Sequence, residues 1–330
     1  MGRRRKGPSF DGVLVVDKPP GPTSHDVVQT VRRAAGQSRV GHTGTLDPAA
    51  TGVLVVCLGR ATRLVQFLQA GTKTYRANLV LGVTTTTQDA DGEVVATRDA
   101  SDVDEAGLRR VLEQLTGEID QLPPMVSAVK VGGRRLHEAA RAGEEVEREP
   151  RRVHVHEQRL LELRPGARAE SEIEVTCSPG TYVRTLAHDA GELLGVGGSL
   201  TGLRRVGNGP FTTADAHPLD AVVAAGERQG MRELTMTPAS AVARTLPTVT
   251  IEDPALARGL VQGGGLEAQG EAGPYALTHG DLLLGIYADE GDRARPQLVW
   301  TRPEELAAHA EGAPTPGNQA PSPPTRGQET

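Results

Sequence analysis

The chain has 330 residues, of which 37% are hydrophobic and only 2% aromatic, with a formal net charge of −6. That length supports one large domain with a smaller companion; Leu, Val and Ala must fill the interior, and no run approaches the ~20 uninterrupted apolar residues of a membrane span. The basic start, MGRRRKGPSFDG, has no apolar segment ahead of the first strand, which argues against a secretory leader, and two distant cysteines, Cys57 and Cys177, read as reduced thiols of a cytoplasmic protein.

Gly12 to Val16 is a short apolar strand that ends in the Pro/Gly turn Asp17-Lys18-Pro19-Pro20-Gly21-Pro22. Thr23-Ser24 offers an N-cap for a helix through Val27, Val28 and Val31, and Gly36 stops it. Val53 to Leu58 is a second apolar strand, and the spacing of Ala61, Leu64, Val65 and Leu68 predicts a helix over 60–69. Strands follow at 75–81 and 93–97, joined by a polar connection through Thr84–Thr87, Asp89 and Asp91. Leu108, Val111, Leu112 and Leu115 mark an amphipathic helix over 102–115, strands are expected at 153–163 and 173–177, and a helix at 182–194 is closed by Gly195. Strands spaced this irregularly argue for an α+β fold with a mixed, largely antiparallel sheet flanked by helices, not for repeated βαβ units. Near Leu246-Pro247 the composition turns glycine-rich and acidic, and short strand-like pieces at 275–277 and 282–287 suggest a small β-rich module. The expected organisation is a basic N-terminus at 1–11, a main domain at 12–247, the small module at 248–305, and a Pro/Gly/Ser-rich disordered tail at 306–330.

Charge is unevenly placed. Residues 248–330 hold five Lys+Arg against twelve Asp+Glu, a net of −7, which leaves residues 1–247 at +1. Within that first part, arginines cluster at 32–33, 109–110, 134–135, 151–152 and 204–205, so a basic face for nucleic acid is permitted without being required.

The stretch GHTGTLDPAATGVL, residues 41–54, concentrates chemistry. Gly41, Gly44 and Gly52 allow sharp bends or close approach, and Pro48 keeps Asp47 out of helical angles. Thr43, Thr45 and Thr51 can bond the neighbouring backbone. Asp47 is therefore an anchored carboxylate on a stiff loop, either a reactive group or simply a capped turn. The Thr-Gly-Thr-Leu string also occurs in aspartyl-phosphate enzymes, but their nucleophile position is Gly41 here. No Gly-Lys-Ser/Thr follows the glycines, which removes a P-loop. The nine histidines form no ligand cluster, so no metal is expected; His154 and His156 share a strand face as surface or RNA-facing groups.

The same stretch resembles the signature loop of the TruB family of tRNA pseudouridine-55 synthases. GVLVVDKPPGPTSHDVV, KTYRANLVLGVTTTTQDADG, PPMVSAVKVGGRRLHEAARAGEEVEREPR, CSPGTYVRTLAHDAGELLG and LTGLRRVGNGPF resemble the family in order, over roughly residues 12–212. The resemblance implies a pseudouridine-synthase fold with a PUA-like C-terminal module, an isomerase that needs no cofactor, and tRNA, through its T-loop and T-arm, as partner of a monomer. It implies that Asp47 acts covalently or electrostatically at the sugar, that Tyr75 stacks on the base and handles the C5 proton, and that Arg184 pairs with the aspartate. Lys18 would support the aspartate loop, His42 would fill the space left by a flipped nucleotide, and Tyr182 and Leu203 would wall the pocket. Residues 123–152 would form a mobile thumb whose Arg134, Arg135 and Arg141 contact phosphate. A non-catalytic RNA-binding protein on the same scaffold, or a guide-dependent synthase, are the alternative readings. The acidic C-terminal module is an awkward surface for phosphate.

Overall fold

The computed structural model describes residues 9–124, 130–131, 134–135, 148–227 and 230–310. In chain order the first half holds β1 (Gly12–Lys18), α1 (Ser24–Ala35), β2 (Val40–His42), β3 (Thr51–Leu58), α2 (Val65–Leu68), β4 (Lys73–Leu81), β5 (Val83–Thr85), β6 (Val94–Thr97), α3 (Glu105–Gln114) and β7 (Gly117–Gln121). After the short pair β8 (Lys130–Val131) and β9 (Arg134–Arg135) come β10 (Arg151–Arg164), β11 (Ala169–Cys177), α4 (Val183–Leu193), β12 (Gly198–Asn208), β13 (Phe211–Thr212), β14 (His217–Pro218), α5 (Leu219–Glu227) and α6 (Pro238–Ala243).

Local chemistry explains the best-formed helix. The Thr23 hydroxyl accepts from the Asp26 N–H, the Asp26 carboxylate accepts from the Thr23 N–H, and Gly36 closes α1 at φ 65°. The helix expected over 60–69 is instead a 3₁₀ turn, Gly59–Leu64, running into the single turn of α2.

The strands build a ten-stranded sheet in the order β14-β1-β3-β12-β4-β11-β10-β7, with β2 added to β3 and β13 to β12. β1 pairs with β14, and β12 with β3, in parallel; the other neighbours are antiparallel, giving the mixed, largely antiparallel sheet of an α+β fold. β1 and β3 are buried on both faces. Leu14, Val16, Leu54 and Val56 pack under α1 and α5, while Val13, Val15, Val53 and Val55 face Leu64, Leu68 and the C-terminal module. Hence their uninterrupted apolar runs. β4 and β11 bury one face only, and alternate accordingly. Ala77, Leu79, Ile173 and Val175 lie beneath Leu108, Leu112, Leu186 and Ala190 of α3 and α4.

The C-terminal module comprises β15 (Thr248–Thr250), α7 (Pro254–Val261), β16 (Leu266–Glu267), β17 (Tyr275–His279), β18 (Leu282–Glu290), β19 (Arg293–Val299) and α8 (Pro303–Ala310). Its five strands, ordered β15-β17-β18-β19-β16, form a curled, PUA-like sheet. The disorder expected from residue 306 does not hold for 306–310, which end α8 with Leu306 buried; residues 311–330 lie outside the described residues. The module shares a core with the main domain: Leu283, Ile286, Leu298 and Trp300 cluster with Val13, Val53, Leu64 and Leu68. At the seam, the Arg60 guanidinium lies 5.0 Å from the Trp300 ring centroid and pairs with Asp11 at 2.6 Å and Glu305 at 2.9 Å. No helix among the described residues is long and apolar enough to cross a membrane.

This shared core has a measurable consequence. Truncation after residue 247 uncovers the aliphatic face of β1 and β3, so the shortened chain should melt at least about 5 °C lower than the full chain. An unchanged melting temperature in calorimetry would show that the module is only appended.

Candidate active site

The segment between β2 and β3, residues 43–50, is irregular backbone that buries Thr43, Leu46 and Ala50 while Thr45, Pro48 and Ala49 stay exposed, and buried polar side chains take up its hydrogen bonds. The Ser24 hydroxyl donates to the Leu46 carbonyl at 3.0 Å and accepts from the Leu46 N–H at 2.8 Å. Lys18, wholly buried at the end of β1, donates through Nζ to the carbonyls of Pro19 (3.0 Å), Pro48 (2.9 Å) and Ala50 (2.7 Å). From β12, Arg205 Nε donates to the Val53 carbonyl at 2.7 Å, while its Nη atoms reach Gly44 O at 3.2 Å and Thr45 O at 3.4 Å. Asn208 donates to the Thr43 hydroxyl at 3.0 Å. Gly52, at φ 100°, lets β3 approach β12 so closely that a Cβ would stand 2.2 Å from the Arg205 carbonyl oxygen.

Asp47 projects from this loop into a cavity of about 440 Å³, where Tyr75, Tyr182, Arg184 and Leu203 also form walls. Arg184, almost fully buried on α4, places Nη2 3.2 Å from the Asp47 carboxylate and Nη1 3.1 Å from that of Asp89. Nη1 also donates to the Thr87 carbonyl at 3.2 Å. Asp89 follows Gln88, whose φ of 63° is the one positive value at a non-glycine among the described residues, and its carboxylate also accepts from the Asp91 N–H at 3.2 Å.

The electrostatics pull in opposite directions. Burial pushes the Asp47 carboxyl above the ordinary aspartate range; Arg184 draws it back, Asp89 adds to the rise, and Lys18 opposes it. Burial carries Lys18 down to about 8, with Asp47 raising it and Arg205 lowering it. Lys73, which donates to the carbonyls of Gln69 and Gly71 beside the cavity, is likewise brought down to about 8 by burial and then by Arg205. Tyr75 is raised by burial and lowered by the positive charge of Arg205. His42 is lowered by burial and then by Arg205; its Nδ1 accepts from the Gly44 N–H at 3.2 Å. The imidazole therefore braces the start of the loop, outside the cavity wall.

Five residues singled out in the sequence, Asp47, Tyr75, Tyr182, Arg184 and Leu203, meet in one cavity, with Lys18 beneath the loop and His42 beside it. Tyr182 caps α4 with its backbone clasped by the Gln121 amide at 2.9 and 3.2 Å. Arg134 and Arg135 form β9, and Arg141 lies outside the described residues. The pair Arg204-Arg205 is not a basic surface patch. Strand alternation sends Arg204 outward to a two-pronged pair with Asp17, at 2.8 and 3.0 Å, and Arg205 inward under the loop. Arg205, Asp89, Ser24 and Asn208 were not among the residues singled out. For Arg205 the signal is its spacing of two from Leu203 on a strand.

The fold and the cavity define a pseudouridine synthase. The structure superposes on a chain of the Cbf5–Nop10–Gar1 complex with a TM-score of 0.68 and 26% identity, covering 93% of each chain. A chain of an H/ACA RNP bound to a substrate RNA containing 2′-deoxyuridine gives a TM-score of 0.67 and 27% identity, over 89% of this chain and 86% of that one. Residues 32–183 match the TruB family pseudouridylate synthase N-terminal domain, and residues 184–238 the tRNA pseudouridylate synthase B C-terminal domain. The tRNA pseudouridine synthase B of Symbiobacterium thermophilum is 52% identical over 248 residues, covering 75% of this chain and 81% of the relative. That of Thermobifida fusca is 46% identical over 297 residues, covering 88% and 98%. The chain belongs to the TruB family.

The raised Asp47 sets a pH-dependent stability. Because the native carboxyl binds its proton more tightly than the unfolded one, the ionised form costs stability as pH rises through the raised value. Asp47→Asn should therefore be more stable than the parent at neutral pH, and the gap should close below the ordinary aspartate range, with Arg184 still held by Asp89. Denaturant melts across pH read this directly; a variant less stable at pH 7 would contradict it. Lys18→Met, which strands the Ala50 carbonyl and leaves that of Pro48 with only the Gly21 N–H at 2.9 Å, should lose about 1–3 kcal/mol in the same melts.

Proposed function

We propose that this protein isomerises uridine 55 in the T-loop of tRNA to pseudouridine. The observation that carries the reading is a single cavity in which a rigidly mounted carboxylate, Asp47, is paired with the buried Arg184 and shares the walls with Tyr75. Relatives 46–52% identical and named tRNA pseudouridine synthase B support tRNA as the substrate, ahead of the more distant H/ACA proteins at 26–27%.

In the reaction the C1′–N1 bond of the uridine breaks, the uracil turns, a C1′–C5 bond forms, and the C5 proton leaves while N1 gains one. Atoms balance without an external reactant. Positive character at C1′ as the first bond breaks calls for an anion there, and Asp47 supplies it as nucleophile or as counter-ion. Arg184 fixes the carboxylate's direction and favours its ionised form against the pull of burial. Tyr75 covers the base and handles the C5 proton. A uracil stacked in folded RNA cannot turn, so the nucleotide enters the cavity flipped; His42, at the loop's entry, takes the vacated place, and Tyr182 and Leu203 exclude water from the base. Arg134, Arg135 and Arg141 hold the T-arm phosphates.

Asp47→Asn should lower tritium release from [5-³H]uridine tRNA by at least about a thousandfold, while its dissociation constant for tRNA stays within about threefold. Turnover retained in the purified variant would refute the assignment. An unaltered protein that binds tRNA and releases no tritium would instead be an RNA-binding protein on this scaffold.

A further inference from the structure

The two buried lysines differ in how their ammonium groups are used. Lys18 directs its donors at three carbonyls, those of Pro19, Pro48 and Ala50. Lys73, with 5% of its surface exposed, donates to the carbonyls of Gln69 at 2.9 Å and Gly71 at 2.6 Å. An ammonium carries three N–H groups, and no acceptor among the described residues takes the third of Lys73. Lys73 also lines the cavity, as Lys18 does not. Burial brings its ammonium down to about 8, so it stays largely charged at neutral pH yet gains from any further acceptor.

Its place on β4 indicates what that acceptor is. Lys73 and Tyr75 point to the same face, about 7 Å apart along the strand, and both border the cavity. The Asp47–Arg184 pair belongs to the other side of Tyr75. Arg184 is held there by Asp89, Asp89 bridges to Leu200, and Leu200 pairs with Leu79 of β4. A nucleotide with its sugar at Asp47 and its base on Tyr75 therefore turns the far edge of the base, with its carbonyl oxygens, toward Lys73. When the C1′–N1 bond breaks, its electron pair stays on the uracil and spreads to O2 and, through C6 and C5, to O4. The ring then gives a pair to the new C1′–C5 bond, C5 releases its proton and N1 takes one up. Lys73 keeps all its protons throughout; a buried cation already aimed at the base needs no reorganisation to meet that charge.

We infer that Lys73 is a further catalytic residue of the isomerisation, whose third N–H meets a uracil carbonyl oxygen and stabilises the negative charge of the detached base. The inference rests on the function proposed above and extends it from the sugar, where Asp47 answers the positive charge, to the base. It treats the two lysines differently: Lys18 is saturated by the loop it holds, and Lys73 is completed by the substrate.

Lys73→Met keeps the length of the side chain and removes its charge. In single-turnover tritium release from [5-³H]uridine tRNA it should be slower than the parent by about a hundredfold, with its dissociation constant for tRNA within about threefold. An unchanged rate, or a loss confined to tRNA affinity, would overturn the inference. Lys73→Ala separates charge from packing, and carries the test alone should Lys73→Met not fold. Propylammonium, which replaces the missing stem and charge, should speed that variant at least about tenfold, and 1-propanol at the same concentration should not. Rescue by both alike, or by neither, would leave Lys73 a structural residue. A parent that releases no tritium overturns the proposed function, and the role of Lys73 falls with it; an unslowed Lys73→Met beside an active parent overturns the role of Lys73 alone.

Discussion

The active cavity depends on how one irregular loop is held. Residues 44–50 leave the sheet, because Pro48 lacks a donor and the chain turns from Asp47 to Ala50, whose N–H bonds the Asp47 carbonyl at 3.1 Å. Buried carbonyls left alone would each cost about 1–3 kcal/mol. Lys18, Ser24 and Arg205 answer them from β1, α1 and β12, and Asn208 of β12 holds the Thr43 hydroxyl beside them. Each supplies donors from a fixed element, so the loop inherits the rigidity of the sheet and helix around it. A carboxylate that must meet a developing charge with little reorganisation needs such a mount.

Topology makes the mount possible. The strands that follow the loop, carry Tyr75, and carry Arg205 come from positions near 51, 73 and 198, and the sheet order β3-β12-β4 sets them side by side. The parallel pairing of β12 with β3 is short, two residue pairs at Arg204–Thr51 and Arg205–Gly52, and lies where the loop ends. A side chain at Gly52 would force these strands apart. The glycine-rich character of the 41–54 stretch thus reflects both a turn and a strand contact, with Gly52 serving the second.

Sequence periodicity disclosed the parts whose local rules are unbroken. The capping box and terminal glycine of α1, the doubly buried runs of β1 and β3, and the amphipathic α3 all follow from their own residues. Asp47 was visible as an anchored acid, but its partners Tyr75 and Arg184 were visible only through the family resemblance. β12 escaped notice because bulges between Leu200 and Gly202, and between Arg205 and Gly207, interrupt its two-residue period. With the strand unread, the opposite directions of Arg204 and Arg205 could not be seen, and two arginines side by side looked like a surface pair. Asp89 was hidden for a different reason: it sits in a turn beside the left-handed backbone of Gln88, which no composition rule assigns to glutamine.

The cavity concentrates charge in a chain whose aliphatic core has little aromatic surface to offset it. Lys18, Lys73, Arg184 and Arg205 are all buried around Asp47 and Asp89. Burial presses Asp47 and both lysines toward their neutral forms, which means each charged form is held against the preference of its surroundings. Effective penalties for burying such ions run to several kcal/mol apiece, comparable with the roughly 5–15 kcal/mol that a whole domain has to spare. The network survives because the charges share partners: Arg184 spans two carboxylates, and Arg205 and the lysines donate to backbone carbonyls around the cavity. What remains is a surplus of buried positive charge facing a single accessible carboxylate. In the proposed isomerisation that polarity suits an anionic RNA backbone at the rim and a sugar whose positive charge develops beside Asp47, so the charges that burden the fold are the ones that reading puts to use.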